Sequence, residues 1–155
     1  MIVHKSIKDE VLDQLYKLAG SLKIGAGNEE GVDLTPIISE DQLQKVENYA
    51  RSGLQSGANA VFGGKRVDRK GYFFEPTIYS DVKSDMTIAQ EEIFGPFLSV
   101  LEYDDYDEAV EIANDTKYGL AAGVFTNDID MATKTASDLN GGQVYVNSWF
   151  TGSIA

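Results

Sequence analysis

Residues 97–146 read FLSVLEYDDYDEAVEIANDTKYGLAAGVFTNDIDMATKTASDLNGGQVYV. Phe97-Leu98-Ser99-Val100-Leu101 is almost continuously apolar, the pattern of a strand covered on both faces. After Asp104-Asp105, the residues Tyr106, Ala109, Val110 and Ala113 recur at helical spacing. Leu120 to Phe125 is a second short apolar run. Ile129, Ala132, Ala136 and Leu139 form another helical stripe, which Asn140-Gly141 is expected to close as a C-cap. Val144-Tyr145-Val146 is a third strand. Strand, helix, strand, helix, strand with short connections predicts an α/β fold built on a doubly wound parallel sheet.

Upstream the elements are looser. Ser6 with Asp9 three residues on reads as a variant capping box, and Ile7, Val11, Leu15, Leu18 and Leu22 give the first amphipathic helix. Gly25, Gly27 and Gly31 mark a loop; their dinucleotide-like spacing is rejected as a motif because no strand precedes it and no helix opens on it. Ser39 with Gln42 is a second capping box, followed by the stripe Leu43, Val46, Ala50 and Leu54. Ala60-Val61-Phe62 is a short strand stopped by Gly63-Gly64, and residues 65–71 form an exposed turn. Residues 72–79 are extended, and Pro76 makes them an edge strand or a loop rather than a central strand. Neither repeat nor linker is visible, so residues 1–155 are expected to form one domain.

The composition is that of a globular chain: 155 residues, 43% hydrophobic and 25% charged, with a net charge of −12. Twelve acidic residues and a single base, Lys83, lie between Glu75 and Asp115. Such a surface repels a phosphate backbone and disfavours nucleic acid as a partner. No apolar run approaches the roughly 20 residues that span a bilayer, and no signal peptide is visible at Met1. The chain has no cysteine, which excludes disulfides, thiolate metal sites and a thiolate nucleophile of its own. A cytoplasmic setting is expected. His4, the single histidine, has no partner in the sequence that would make it a metal ligand. Asn114-Asp115-Thr116 has the form of a glycosylation sequon, and no nucleophile-elbow pattern is present.

The most informative short motif is Gln90-Glu91-Glu92-Ile93-Phe94-Gly95-Pro96-Phe97. Read plainly, Gly95-Pro96 is a turn opening a strand and Glu91-Glu92 a solvated pair. Read chemically, a carboxylate can accept hydrogen bonds from both hydroxyls of a ribose, and an adjacent aromatic ring can pack on a flat heterocycle.

This octapeptide resembles a signature of the aldehyde dehydrogenase superfamily. The likeness extends, in order and with family spacing, over essentially the whole chain: Ser6 to Lys23, Pro36 with Ser39 to Lys45, Gly71 to Thr77, Gln90 to Pro96, Ala113 to Phe125, and Val146-Asn147. It implies a fold similar to the C-terminal part of that family's catalytic domain, truncated at both ends, with NAD or NADP as the cofactor of the intact enzyme. Glu92 looks like the family glutamate that holds the nicotinamide ribose, and Phe94 like the aromatic beside it. Gln42 and Lys45 fall where the family approaches the other ribose, although Gln42 also serves as the third residue of its capping box. Residues 114–119 and Phe125 look structural. Asn147 falls near the family's substrate tunnel, which makes Trp149 and Phe150 candidates for the tunnel mouth or for ordinary packing.

The departures are as telling. In the family a cysteine thiolate attacks the aldehyde, hydride passes to the nicotinamide, and a glutamate-activated water hydrolyses the thioester. The cysteine, that glutamate, the oxyanion asparagine and the dinucleotide-binding domain would all lie upstream of Met1. The glycine-rich segment and the oligomerisation strand would lie beyond Ala155. The resemblance therefore implies a chain that is inactive alone, with no catalytic residue of its own. Cofactor affinity is expected to be weaker than roughly 1 mM, because the helix N-terminus that receives the pyrophosphate is absent. The aldehyde would bind only in the intact enzyme. Alternatives are a subunit of a split enzyme whose partner brings the cysteine, and a non-catalytic assembly module that self-associates. More distant is a receiver-like domain binding magnesium at Asp104-Asp105, for which the rest of the chain supplies no matching aspartate and lysine.

Overall fold

A computed structural model describes residues 1–148. The chain divides into two compact units, residues 1–104 and 105–155. Seven strands and five α-helices are described, and three of the four strand pairings are parallel, in keeping with an α/β fold, although the strands fall into three sheets in which only the last two strands of the alternating run pair with each other.

In the first unit, β1 (Ile2–His4) pairs in parallel with β5 (Leu101–Tyr103). A second sheet has the order β2 (Asn59–Phe62), β3 (Thr77–Ser80), β4 (Phe97–Ser99). β3 and β4 run parallel, whereas β2 runs antiparallel to β3 with a register shift between Ala60 and Phe62. Helix α1 (Lys8–Ser21) covers one cluster, with Val11, Leu12, Leu15 and Ala19 packed on Val3, Ile78, Val100 and neighbours. Helix α2 (Glu40–Gln55) buries Leu43, Val46, Ala50 and Gly53. Tyr79 of β3 is fully buried, and its hydroxyl donates to the Ala50 carbonyl at 3.1 Å. Burial removes that phenol from water and raises its pKa.

Four upstream expectations need correction. Ser6 does not cap α1. It lies in a 3-10 turn (Lys5–Ile7) capped by His4, whose Nδ1 accepts from the Ser6 amide, and α1 begins at Lys8 behind Ile7 without a side-chain cap. The buried stripe of α1 is narrower than its spacing suggests, since Ile7 and Leu18 are exposed. Likewise Leu54 of α2 is exposed and Gly53 takes its place in the interior. Residues 77–80 form the central strand of their sheet, fully buried. Pro76 is compatible with this because it stands just before the first paired residue, where its missing N–H removes no ladder bond.

The stop after β2 does need glycine. Gly63 has φ of +67°, and a Cβ there would sit 2.0 Å from the Pro76 carbonyl oxygen. The exposed turn that follows is tied down by Val67 N–H to the Phe73 carbonyl and Glu75 N–H to the Lys65 carbonyl. The apolar run 97–101 also differs in detail: β4 ends at Ser99, Val100 donates to the Tyr79 carbonyl, and Leu101 donates to the Met1 carbonyl. One extended segment thus passes from β3 as neighbour to β1 as neighbour.

The second unit is a βαβ arrangement preceded by a helix. α4 (Tyr106–Asn114) is capped by Asp105, whose carboxylate accepts from the Glu108 amide at 3.0 Å. β6 (Ala121–Val124) and β7 (Gln143–Val146) pair in parallel, joined by α5 (Ile129–Asp138), which Asp128 caps. The C-terminus of α5 is not closed by glycine as the sequence suggests. Leu139 leaves the helix extended, Gly141 has no positive φ, and the side chain of Asn114 does the work: it donates to the Asp138 carbonyl and accepts from the Asn140 amide, both at 2.8 Å. Among the described residues of this unit only Ala132 is buried.

Candidate cofactor-binding site

Ser39 has extended dihedrals, and its hydroxyl accepts from the Gln42 amide at 3.2 Å, which starts α2. The expected reciprocal bond of the capping box is not the one the Gln42 side chain makes. Its Nε2 instead donates to the Phe94 carbonyl at 3.1 Å. An amide oxygen of Gln42 is thereby left as the acceptor it can offer a ligand.

Phe94 lies in the loop that follows the short helix α3 (Thr87–Gln90). Glu91 ends α3 with its N–H on the Thr87 carbonyl, Gly95 N–H bonds the Ile93 carbonyl, and the Pro96 carbonyl accepts from Thr77. Gly95 is required here: a Cβ would lie 2.7 Å from Cγ2 of Val46 on α2. The loop backbone therefore presses directly on the helix. Phe94 is 68% exposed, so its ring is offered outward rather than spent on packing.

Between this loop and residues 34–38 lies a cleft of about 530 Å³ whose lining includes Pro36, Ile37, Gln42, Phe94 and Pro96. The structure thus brings Gln42 and Phe94 into one cleft. Glu92 is exposed on the same loop, two residues before Phe94. Lys45 is exposed on the next turn of α2 and lines a separate hollow of about 390 Å³ with Asn48, Tyr49, Ser52 and Thr87.

Electrostatics hold α2 against the hairpin that follows β2. Arg66 donates to Glu47 at 2.7 and 2.8 Å and to Glu40 at 2.6 Å. The hydrogen-bonded guanidinium keeps the Glu47 carboxyl below its ordinary range, and the two carboxylates raise Arg66 further. Glu40, in the first turn, also suits the positive end of the helix dipole.

Asn147, expected near a substrate tunnel, sits in the second unit with φ of +49°. Its Oδ1 accepts from the Thr126 amide at 2.9 Å and its Nδ2 donates to the Thr126 carbonyl at 2.8 Å. The side chain thus binds the loop leaving β6. Trp149 and Phe150 lie outside the described residues. His4 bonds Ser6 and the Asp104 carbonyl. Asp104 itself pairs with Lys5.

Sequence reasoning missed the contacts that brace the loop from α2. Tyr49 donates to the Glu91 carboxylate at 2.8 Å, and Val46 meets Gly95. The signal was present: Gln42, Val46 and Tyr49 share one helical face by their spacing.

The cleft lies beneath an exposed aromatic, is rimmed by an amide and a carboxylate-bearing loop, and has room for a small molecule. The aldehyde dehydrogenase family model matches residues 1–155. A mitochondrial aldehyde dehydrogenase of Leishmania tarentolae is 48% identical over 147 residues, covering 95% of this chain and 30% of that protein. The Arabidopsis thaliana aldehyde dehydrogenase family 2 member B4 is 43% identical over 145 residues, covering 94% and 27%. The NAD+ complex of aldehyde dehydrogenase from Bacillus cereus superposes with a TM-score of 0.95 at 42% identity, covering 99% of this chain and 31% of that one. The chain belongs to the aldehyde dehydrogenase family, and its fold is that of the matching part of these structures. It spans about 30% of the length of the relatives it matches.

Proposed function

We propose that this chain is part of an enzyme that oxidises an aldehyde to a carboxylic acid with NAD or NADP, and that it contributes the outer wall of the cofactor site. One observation carries the proposal: Gln42 and Phe94, 52 positions apart, meet in a single cleft. The residues suit such a cofactor. The apolar lining and the exposed Phe94 ring match a flat heterocycle. The Glu92 carboxylate can accept from paired ribose hydroxyls, and Gln42 with Lys45 can engage the other sugar. When bound, the cofactor supplies the hydride acceptor.

The 155 residues contain no cysteine, so the thiolate the family uses comes from further sequence, in the same polypeptide or in a second one. The chain alone is accordingly inactive and binds the cofactor more weakly than roughly 1 mM. Both compact units belong, on this reading, to one catalytic domain, and Asn147 lies near the aldehyde's approach. A cytoplasmic location goes with the reading, and cell fractionation checks it.

The test is a titration of the isotopically labelled chain with NAD+ to about 20 mM, followed by amide chemical shifts. Shifts centred on Gln42, Lys45, Glu92 and Phe94 are expected. Shifts centred elsewhere, or none, overturn the assignment of these residues to the cofactor.

A further inference from the structure

Helix α2 touches the segment 88–95 along one face. Gln42 holds the Phe94 carbonyl, Val46 abuts Gly95, Tyr49 holds the Glu91 carboxylate, and Gly53 is so close to Ile88 that a Cβ would lie 2.8 Å from its Cδ1. These positions follow the spacing i, i+4, i+7, i+11, which is one stripe of an α-helix. The stripe runs along the segment that ends in the loop bearing Glu92 and Phe94.

We propose that Tyr49 is a positioning residue for the cofactor site, acting through Glu91 to fix the loop 91–96 so that Glu92 and Phe94 are held ready for the ligand. Backbone bonds pin the loop where it leaves α3 and where Pro96 joins the sheet. Between these points, Glu91 is the residue immediately before Glu92. An O–H donor on a carboxylate is a charge-assisted bond, stronger than a neutral one. It fixes the Glu91 side chain on the rigid helix, and with it the direction in which the chain departs toward Glu92. Gln42 fixes the other side of the same loop at Phe94. Two bonds and one close packing contact from a single helix face leave the intervening residues little freedom, which lowers the ordering cost of binding. The cofactor part of this assignment rests on the function proposed above.

The test uses amide hydrogen exchange in the complete 155-residue chain together with the NAD+ titration. Tyr49→Phe is expected to speed exchange at Glu91 and Gly95 by roughly three- to tenfold, with amides of α2 and β3 unchanged. Glu91→Ala should give the same increase, and the double variant should be no faster than either single one. Glu91→Gln keeps an acceptor oxygen for Tyr49 and should restore exchange to within about twofold of the parent. In the titration, Tyr49→Phe should weaken NAD+ binding several-fold. Unchanged exchange in a folded Tyr49→Phe or Glu91→Ala chain, or additive effects in the double variant, overturns the clamp. A loosened loop with unaltered NAD+ affinity overturns the positioning role. If the parent chain shows no NAD+ shifts, the cofactor assignment falls with the proposed function, and the exchange rates alone decide whether Tyr49 fixes the loop.

Discussion

Asn114, the last residue of α4, closes α5 by donating to the carbonyl of Asp138 and accepting from the amide of Asn140. One amide side chain thereby satisfies a carbonyl and an N–H that the end of a helix leaves without intrahelical partners.

Asn114→Ala is expected to destabilise the second unit by about 1–2 kcal/mol, since two hydrogen bonds of ordinary strength are lost together. Exchange at the last turn of α5 should accelerate. Asn114→Asp should recover only part of the loss, because a carboxylate can accept from Asn140 but cannot donate to Asp138. Equal stability of all three chains in urea titrations contradicts the capping role.

Gly95→Ala is expected to destabilise the chain by about 1–3 kcal/mol through overpacking. The added methyl meets Val46 at 2.7 Å, and that valine is fully buried and has little room to yield. Thermal denaturation checks this, and the shift pattern of residues 91–96 should change even where the chain stays folded.

Acid stability should depend on Arg66. Its hydrogen bonds depress the folded-state pKa of Glu47. The stability this provides is therefore present above the unfolded carboxylate value of about 4.3 and is lost as pH falls through the lower folded value. Replacing Arg66 with Leu should leave a shallower decline below about pH 5 and lower stability at neutral pH by the same amount, which is modest because the guanidinium is partly exposed. Urea titrations at several pH values would show it, and identical acid limbs count against it.

The purified chain should produce no aldehyde-dependent absorbance of reduced cofactor. The chemistry needs a thiolate, and none of the 155 residues is a cysteine. Turnover by the chain alone refutes this. Turnover only after a cysteine-bearing polypeptide is added supports a split arrangement.

How far these features could be read from sequence varied with how local their causes are. The β6–α5–β7 unit was legible because short apolar strands and a 3.6-residue stripe are properties of neighbouring residues. The Ser39 cap was legible for the same reason. The central position of β3 was not, since Pro76 forbids pairing only at its own position and the sequence does not say where pairing starts. The end of α5 was misread because its closing group, Asn114, lies 24 positions before Asp138 and no local pattern announces it. In the candidate site, the resemblance singled out Gln42 and Phe94. Their mutual hydrogen bond, and the brace from Tyr49, depend on a loop meeting a helix about 40 to 50 positions away.

The contact between Val46 and Gly95 also constrains the order in which substitutions can accumulate. A side chain grows at position 95 without that cost only after position 46 has shrunk, because the reverse order passes through a clash. The two positions are therefore expected to vary as a size-matched pair, with Ala at 46 permitting Ala at 95. A change buried in the helix would then license a change in the loop that presents Glu92 and Phe94, so that this rim is inherited jointly with the helix beneath it.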